Sequence, residues 1–266
     1  MSSTQDNKAS WHYKAENIHD FAWAADPKFE VDSAKTKLGT TIYTIYLPTD
    51  QEVKDNWKTA LGLATEFFDF TSEHFGAYPW KTYSIVQGGD GGMEYGTATL
   101  ITGGRNLKGL VGVIFHEAAH SWYQQLFGVN ETVDEWMDEG FTSYIEELAY
   151  TELFEKPKAR ALNPIGSAYN SYYRLAKSGK EEPMSLLADY YNTNFAYSIE
   201  AYSKGGVLAE QMGYIIGKQN LQKTFLNFYD IWKFKHPTPN DFKRVAEETS
   251  GINLKWYLIL RILNDF

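Results

Sequence analysis

The chain has 266 residues, 43% of them hydrophobic and 16% aromatic, enough to bury a sizeable core as one large domain or two small ones. With 34 acidic residues against 25 basic ones the formal charge is -9, which argues against nucleic acid or an anionic membrane as partner and favours cationic ligands. There is no cysteine, so disulfides and thiolate metal sites are excluded and any bound metal must be held by imidazole and carboxylate.

The opening MSSTQDNKAS is polar and lacks the apolar run of a signal peptide, which leaves the compartment open between cytoplasm and export after leader removal. The first 30 residues are aromatic-rich without a clear period, and TTIYTIYLPTD then alternates as a strand ending at Pro48. VKDNWKTALGLATEFFDFTSEHFG places Trp57, Leu61, Ala64 and Phe68 three to four apart and predicts a helix that stops near Gly76. TYSIVQ at 82–87 and ATLITGG read as strands on either side of the glycine-rich GGDGGMEYG. Helical spacing follows over 107–127, 134–154, 163–177, 196–216, 219–230 and 239–249. The last run, LKWYLILRILNDF, is apolar but shorter than the roughly 20 residues that span a bilayer, and reads as a core-facing helix end. Strands first and helices after predict an α+β fold.

The helix predicted over 107–127 carries HEAAH inside an otherwise apolar run. Residues four apart lie one turn apart on one face, so the imidazoles of His116 and His120 can converge on one metal ion. Glu117 sits beside them, about 100° around the helix, where it can act as general base without occupying a ligand position. A third ligand is available in VDEWMDEGFTSYIEE: 18 residues separate Glu139 from His120, enough for the helix to end at Gly128 and a second helix to return antiparallel. The competing reading makes these residues core histidines and solvated glutamates. Three ionisable groups in so apolar a helix would each need a partner or a metal to offset their burial, which favours the metal site.

HEAAHSWYQQ, with 18 residues between the second histidine and Glu139 of DEWMDEGFTSY, resembles the zinc site of gluzincins. GGMEY at 91–95 resembles the G-x-M-E-N exopeptidase motif of the aminopeptidase N family of zinc metallopeptidases, and AYSKGGVLAEQM at 201–212 resembles that family's tyrosine segment, Y-x-K-G-A. The likeness runs over residues 31–260. It implies a thermolysin-like catalytic domain over 31–266, a small mixed sheet followed by a mainly helical half, with 1–30 an N-terminal extension expected to be the tail of a β-sandwich. It implies one zinc ion per chain, bound by His116, His120 and Glu139, with Glu117 activating water. Glu94 would bind the free α-amine of a peptide substrate, Tyr202 would hydrogen-bond the oxyanion, and the backbone of Gly91, Gly92 and Met93 would lie along the peptide.

The family motif ends in Asn where this chain has Tyr95, which bears on the loop and its subsite rather than on the amine anchor. Relatives usually carry an N-terminal β-sandwich and C-terminal helical modules, so flanking domains are expected in a full-length parent chain. Asp138, adjacent to Glu139, is read as an exposed carboxylate in preference to an orienting partner of a ligand histidine; Lys204 and Gly205 are expected to hold the tyrosine helix against the sheet, and His12, His19, His74 and His236 to be structural. The expected function is zinc-dependent removal of N-terminal residues from peptides. The rivals are a gluzincin endopeptidase, which does not need Glu94, and a zinc-binding peptide-recognition domain without turnover.

Overall fold

The computed structural model describes residues 2–5, 8–89, 91–155, 163–258 and 262. Strands β1 (Ser2–Gln5) and β2 (Lys8–Trp11) pair as an antiparallel ribbon. The main sheet has five strands: β3 (Glu30–Lys35), β4 (Thr41–Tyr46), β5 (Thr82–Gly88), β6 (Gly92–Tyr95) and β7 (Ala98–Thr102). Their order is β3-β4-β5-β7-β6, with β4-β5 and β5-β7 parallel and both edges antiparallel. The parallel pairs need crossovers, and α1 (Gln51–Phe75) supplies the first. It begins at Asp50, whose carboxylate accepts the Val53 N–H, and ends at Gly76, where φ is 109° and a Cβ would strike the Tyr229 ring.

The sequence leaves β3 unread because EVDSAK alternates with only Val31 and Ala34 as apolar residues. An edge strand with half its side chains in solvent gives a weak periodic signal. GGMEY, read from sequence as a glycine-rich stretch, forms the other edge strand: Met93 sits opposite Leu100 and Glu94 opposite Thr99. Residues 12–29 are irregular and lean on the sheet's end, with Asp20 accepting the Gly96 N–H at 2.7 Å and Glu16 O accepting Trp80 Nε1–H at 3.1 Å.

The helical half begins with α2 (Leu107–Ala119), capped by Asn106, whose side chain accepts the Gly109 N–H. Leu110, Val111, Ile114, Phe115, Ala118 and Ala119 are buried, so α2 runs through the core between α1 and α3 (Glu135–Ala149). The predicted helix over 107–127 does not continue: Tyr123 leaves helical geometry and Gln124 adopts φ 98°. That left-handed backbone is held from both sides, by Gln124 Nε2 donating to Glu131 and by Gln124 O accepting the Gly128 N–H, each at 2.8 Å. The chain then returns as α3, antiparallel to α2 as the spacing predicts.

After α4 (Gly166–Ser178) comes α5 (Asn194–Ser198), then a π-helical turn, Ile199–Lys204, leading into α6 (Gly205–Ile216). The tyrosine helix packs on α3, not on the sheet as expected. Gly205 and Gly140 meet backbone to backbone, and a Cβ on either would come within 2.7 Å of the other's Cα. Lys204 does not touch the sheet either; it is buried between Glu181 and Glu200, at 2.8 Å from each. Helices α7 (Lys218–Trp232), α8 (Pro239–Ser250) and α9 (Lys255–Leu258) close the core. The terminal apolar run is core-facing at Leu254, Tyr257, Leu258 and Ile262; its residues 259–261 and 263–266 lie outside the described residues, as does Asp90 of the glycine-rich stretch. No helix among the described residues is long and apolar enough to cross a membrane. The α+β architecture, a small mixed sheet followed by a mainly helical half, is the one the element order predicts.

Candidate active site

The last turn of α2 presents His116, the C-cap residue of the same helix is His120, and α3 presents Glu139 opposite them. His116 Nε2 lies 3.1 Å from Glu139 Oε2, His120 Nε2 lies 3.3 Å from the same oxygen, and the two Nε2 atoms are 3.3 Å apart. An ion bonded at about 2.0 to 2.1 Å to tetrahedrally disposed ligands separates them by about 3.3 Å, so the triangle has the edge length a zinc-sized ion requires. Three potential ligand atoms of these residues also form a cluster by mutual proximity.

Both imidazoles are fixed from behind. His120 Nδ1 lies 2.8 Å from Asp138 Oδ1, and His116 Nδ1 lies 3.0 Å from Glu146 Oε2, so each ring donates outward and turns Nε2 inward. Asp138, read from the sequence as an exposed carboxylate, is instead buried and turned onto His120. Glu146 was not anticipated, although it follows Glu139 by seven residues, two turns along the same face of α3. Burial pulls His116 down, but hydrogen bonds to Glu139 and Glu146 outweigh it and hold the ring up at about 10. Burial would raise Glu139, yet the two histidines hold its carboxyl well below the usual range. The donor set of two imidazoles and a carboxylate is one that would suit zinc.

Glu117 lines the same cavity as the two histidines and turns toward β6. A Cβ on Gly92 would fall 2.1 Å from Glu117 Oε1, so Gly92 is what lets the carboxylate lie against the strand. The Glu117 backbone carbonyl is anchored by the buried Tyr83 hydroxyl at 3.2 Å. Burial pushes its carboxyl up to about 7; the two histidines pull the other way, while Glu94 and Glu139 add to the rise. That value suits a proton carrier working near neutrality.

Glu94 is buried on β6 and faces the same cavity, about 330 Å³, as His116, His120, Glu117 and Tyr202. Met93 also lines it, and Thr99 holds the Met93 carbonyl at 2.9 Å. Gly91 does not line it; its carbonyl accepts from Arg105 at 2.9 Å. Tyr202 comes from the π-helical turn, its ring stacked on His116 and its hydroxyl donating to Glu139 Oε1 at 2.7 Å. The Gly140–Gly205 contact makes this approach possible, because it lets the two backbones carrying Glu139 and Tyr202 touch. Among the other histidines, His74 caps its own helix at Phe70 O and His236 bonds Gly128 O, while His12 and His19 are exposed. A larger cleft of about 1160 Å³ lies behind Glu146, between α2, α3, α4 and α6, away from the histidine–carboxylate triangle.

The model of the peptidase family M1 domain matches residues 59–260. The chain belongs to peptidase family M1. It is similar to the M1 zinc metallopeptidase of Deinococcus radiodurans, with a TM-score of 0.68 at 17% identity over 90% of this chain and 52% of that one, a likeness of fold. Aminopeptidase B of Mus musculus is 28% identical over 195 residues, 68% of this chain. Leucine aminopeptidase 2 of Chaetomium globosum is 24% identical over 190 residues, 67% of this chain. This M1 chain spans 29% and 31% of the length of those two relatives.

Proposed function

We propose that this chain is the catalytic part of a zinc-dependent aminopeptidase, releasing N-terminal residues from peptides with a free amino end. The observation that carries the reading is the triangle of His116, His120 and Glu139 with Glu117 and Glu94 on the same cavity. His116, His120 and Glu139 would hold the zinc. Bound there, zinc supplies Lewis acidity, polarising a carbonyl and acidifying water.

The chain's own groups supply the rest. Glu117, raised toward neutrality, takes a proton from the attacking water and passes it to the departing amine. Tyr202 donates its hydroxyl to the oxygen on which negative charge develops; burial and the nearby Glu139 charge hold that phenol far above its ordinary value, so it stays a donor. Glu94 pairs with the substrate's α-ammonium and fixes which peptide bond comes under attack. The outer edge of β6 at Gly92 and Met93 offers backbone groups along which the peptide extends; the carbonyls of Gly91 and Met93 each already accept one hydrogen bond, from Arg105 and Thr99. Family relatives are longer chains, and flanking domains in the parent protein belong to the same proposal, as does residues 1–30 being the tail of one. Nucleic acid and membrane have no place in it.

The test compares kcat/KM for one peptide with its amino end free and acetylated. Loss of a hydrogen-bonded charge pair costs about 2 to 5 kcal/mol, so acetylation should lower turnover by at least about 30-fold. Equal cleavage of both forms would remove Glu94 from amine binding and make the chain an endopeptidase.

A further inference from the structure

The helix that carries Tyr202 runs in three parts: α5, the π-helical turn Ile199–Lys204, and α6. A π-turn holds one residue more than an α-turn, so it rotates the side chains ahead of it by about 100° against those of α6. The turn therefore aims the Tyr202 ring at His116 and its hydroxyl at Glu139. Such turns are rare within helices and frequent at functional sites, so whatever holds this one bears on where the hydroxyl lies.

Lys204 holds it from the far side. It follows Tyr202 by two residues, about half a turn around the helix, and it is buried. Nζ sits 2.8 Å from Glu200 Oε2, four residues back in the same turn, and 2.8 Å from Glu181 Oε1, in the segment that follows α4. The buried Glu200 carboxylate also takes the Glu182 N–H at 3.3 Å, and Nζ lies 5.7 Å from the centre of the Tyr172 ring of α4. The segment bearing Glu181 is tied down in its turn: the Ala188 N–H donates at 3.0 Å to Glu135 Oε1, on α3 and one turn before Glu139. A closed path of contacts thus runs from Glu139 along α3 to Glu135, through residues 181–188 to Lys204, and through the turn to Tyr202, whose hydroxyl returns to Glu139. Burying three ions adds little stability, since apolar side chains of the same volume hold two elements together as well or better. What the triad adds is direction, because charge-assisted hydrogen bonds are met in one geometry and apolar contacts in many.

We infer that Lys204, clamped between Glu181 and Glu200, is a positioning residue for the Tyr202 hydroxyl. The inference rests on the aminopeptidase reading for the oxyanion which that hydroxyl serves, and its test separates the two.

The main variant combines Lys204→Met with Glu181→Gln and Glu200→Gln. It removes all three charges together, keeps an acceptor for the Glu182 N–H and should fold, because no unpaired charge stays buried. In the zinc-loaded triple variant kcat for an aminoacyl amide should fall about 10²-fold, the effect of a misplacement of about 1 Å, with KM and zinc content unchanged. Adding Tyr202→Phe should lower kcat by no more than about a further twofold, because both changes remove one interaction. The other readout needs no turnover: the ¹³Cζ resonance of Tyr202 in tyrosine-labelled chain, assigned by its absence in Tyr202→Phe, should shift in the triple variant as the hydrogen bond to Glu139 loosens. Glu181→Gln alone, which leaves the Lys204–Glu200 pair in place, should move kcat and the resonance in the same directions by less. A resonance unmoved in both variants overturns the inference and leaves the aminopeptidase standing. Losses in kcat that multiply in full with that of Tyr202→Phe also overturn it, since Lys204 would then act by another route. A shifted resonance in a chain whose wild type cleaves no amide keeps Lys204 as the residue that places the hydroxyl and defeats the catalytic reading.

Discussion

Tyr202 donates its hydroxyl to Glu139 Oε1 at 2.7 Å, while Oε2 of the same carboxylate lies 3.1 Å from His116 Nε2. The tyrosine is thus tied to the His116–His120–Glu139 triangle from a different helix. Removing one donor to a developing oxyanion typically lowers kcat by about 10² to 10³, so Tyr202→Phe should lose that much with KM nearly unchanged. Zinc content should stay at the wild-type level, since Glu139 keeps both oxygens. A variant with raised KM and unaltered kcat would place the hydroxyl in ground-state binding instead.

Asp138 and Glu146 hold the two histidines by their outer nitrogens, at 2.8 and 3.0 Å. Loss of such an orienting partner typically weakens metal binding by about 10- to 100-fold. Competition against a chromogenic chelator should show this for Asp138→Asn and for Glu146→Gln. Wild-type zinc affinity in both would mean that packing alone sets the rings.

The pH dependence of folding should carry a signature of Glu147, one of whose oxygens is buried without a hydrogen-bond partner among the described residues. Burial pushes its carboxyl up to about 8 from 4.5, with the Glu146 charge adding to the rise. An acid raised in the folded state costs nothing while both states hold the proton, and it costs increasingly as pH climbs from the unfolded value to the folded one. Glu147→Gln should therefore match wild type in Tm near pH 4.5 and exceed it near pH 8. Parallel Tm profiles for the two proteins would contradict the burial of that charge.

Much of the site could be read in the sequence because it depends on spacings within single helices. HEAAH needs only one turn of helix to bring two imidazoles together, and the 18-residue gap needs only a reversal to bring Glu139 back. The fold class was legible for the same reason, since Trp57, Leu61, Ala64 and Phe68 announce α1 and the alternation of TIYTIY announces β4. What was hidden depends on tertiary contact. Nothing in SWYQQL signals that Gln124 will turn left-handed, because its support comes from Glu131 and from Gly128. Glu131 and Glu135 read as ordinary acids around a helix N-terminus, where such charges are commonplace. The Gly140–Gly205 contact joins two segments with no sequence relation, so the tyrosine helix was assigned to the sheet when it lies on α3. Glu146 was the one omission that periodicity could have supplied.

The central claim is that His116, His120 and Glu139 form one zinc site with Glu117 as its base, and metal content by elemental analysis tests it most directly. Wild type should hold one zinc per chain, alanine at any of the three ligands should remove most of it, and Glu117→Gln should retain it while kcat falls by at least about 10². Equal zinc in wild type and all three alanine variants would contradict the site.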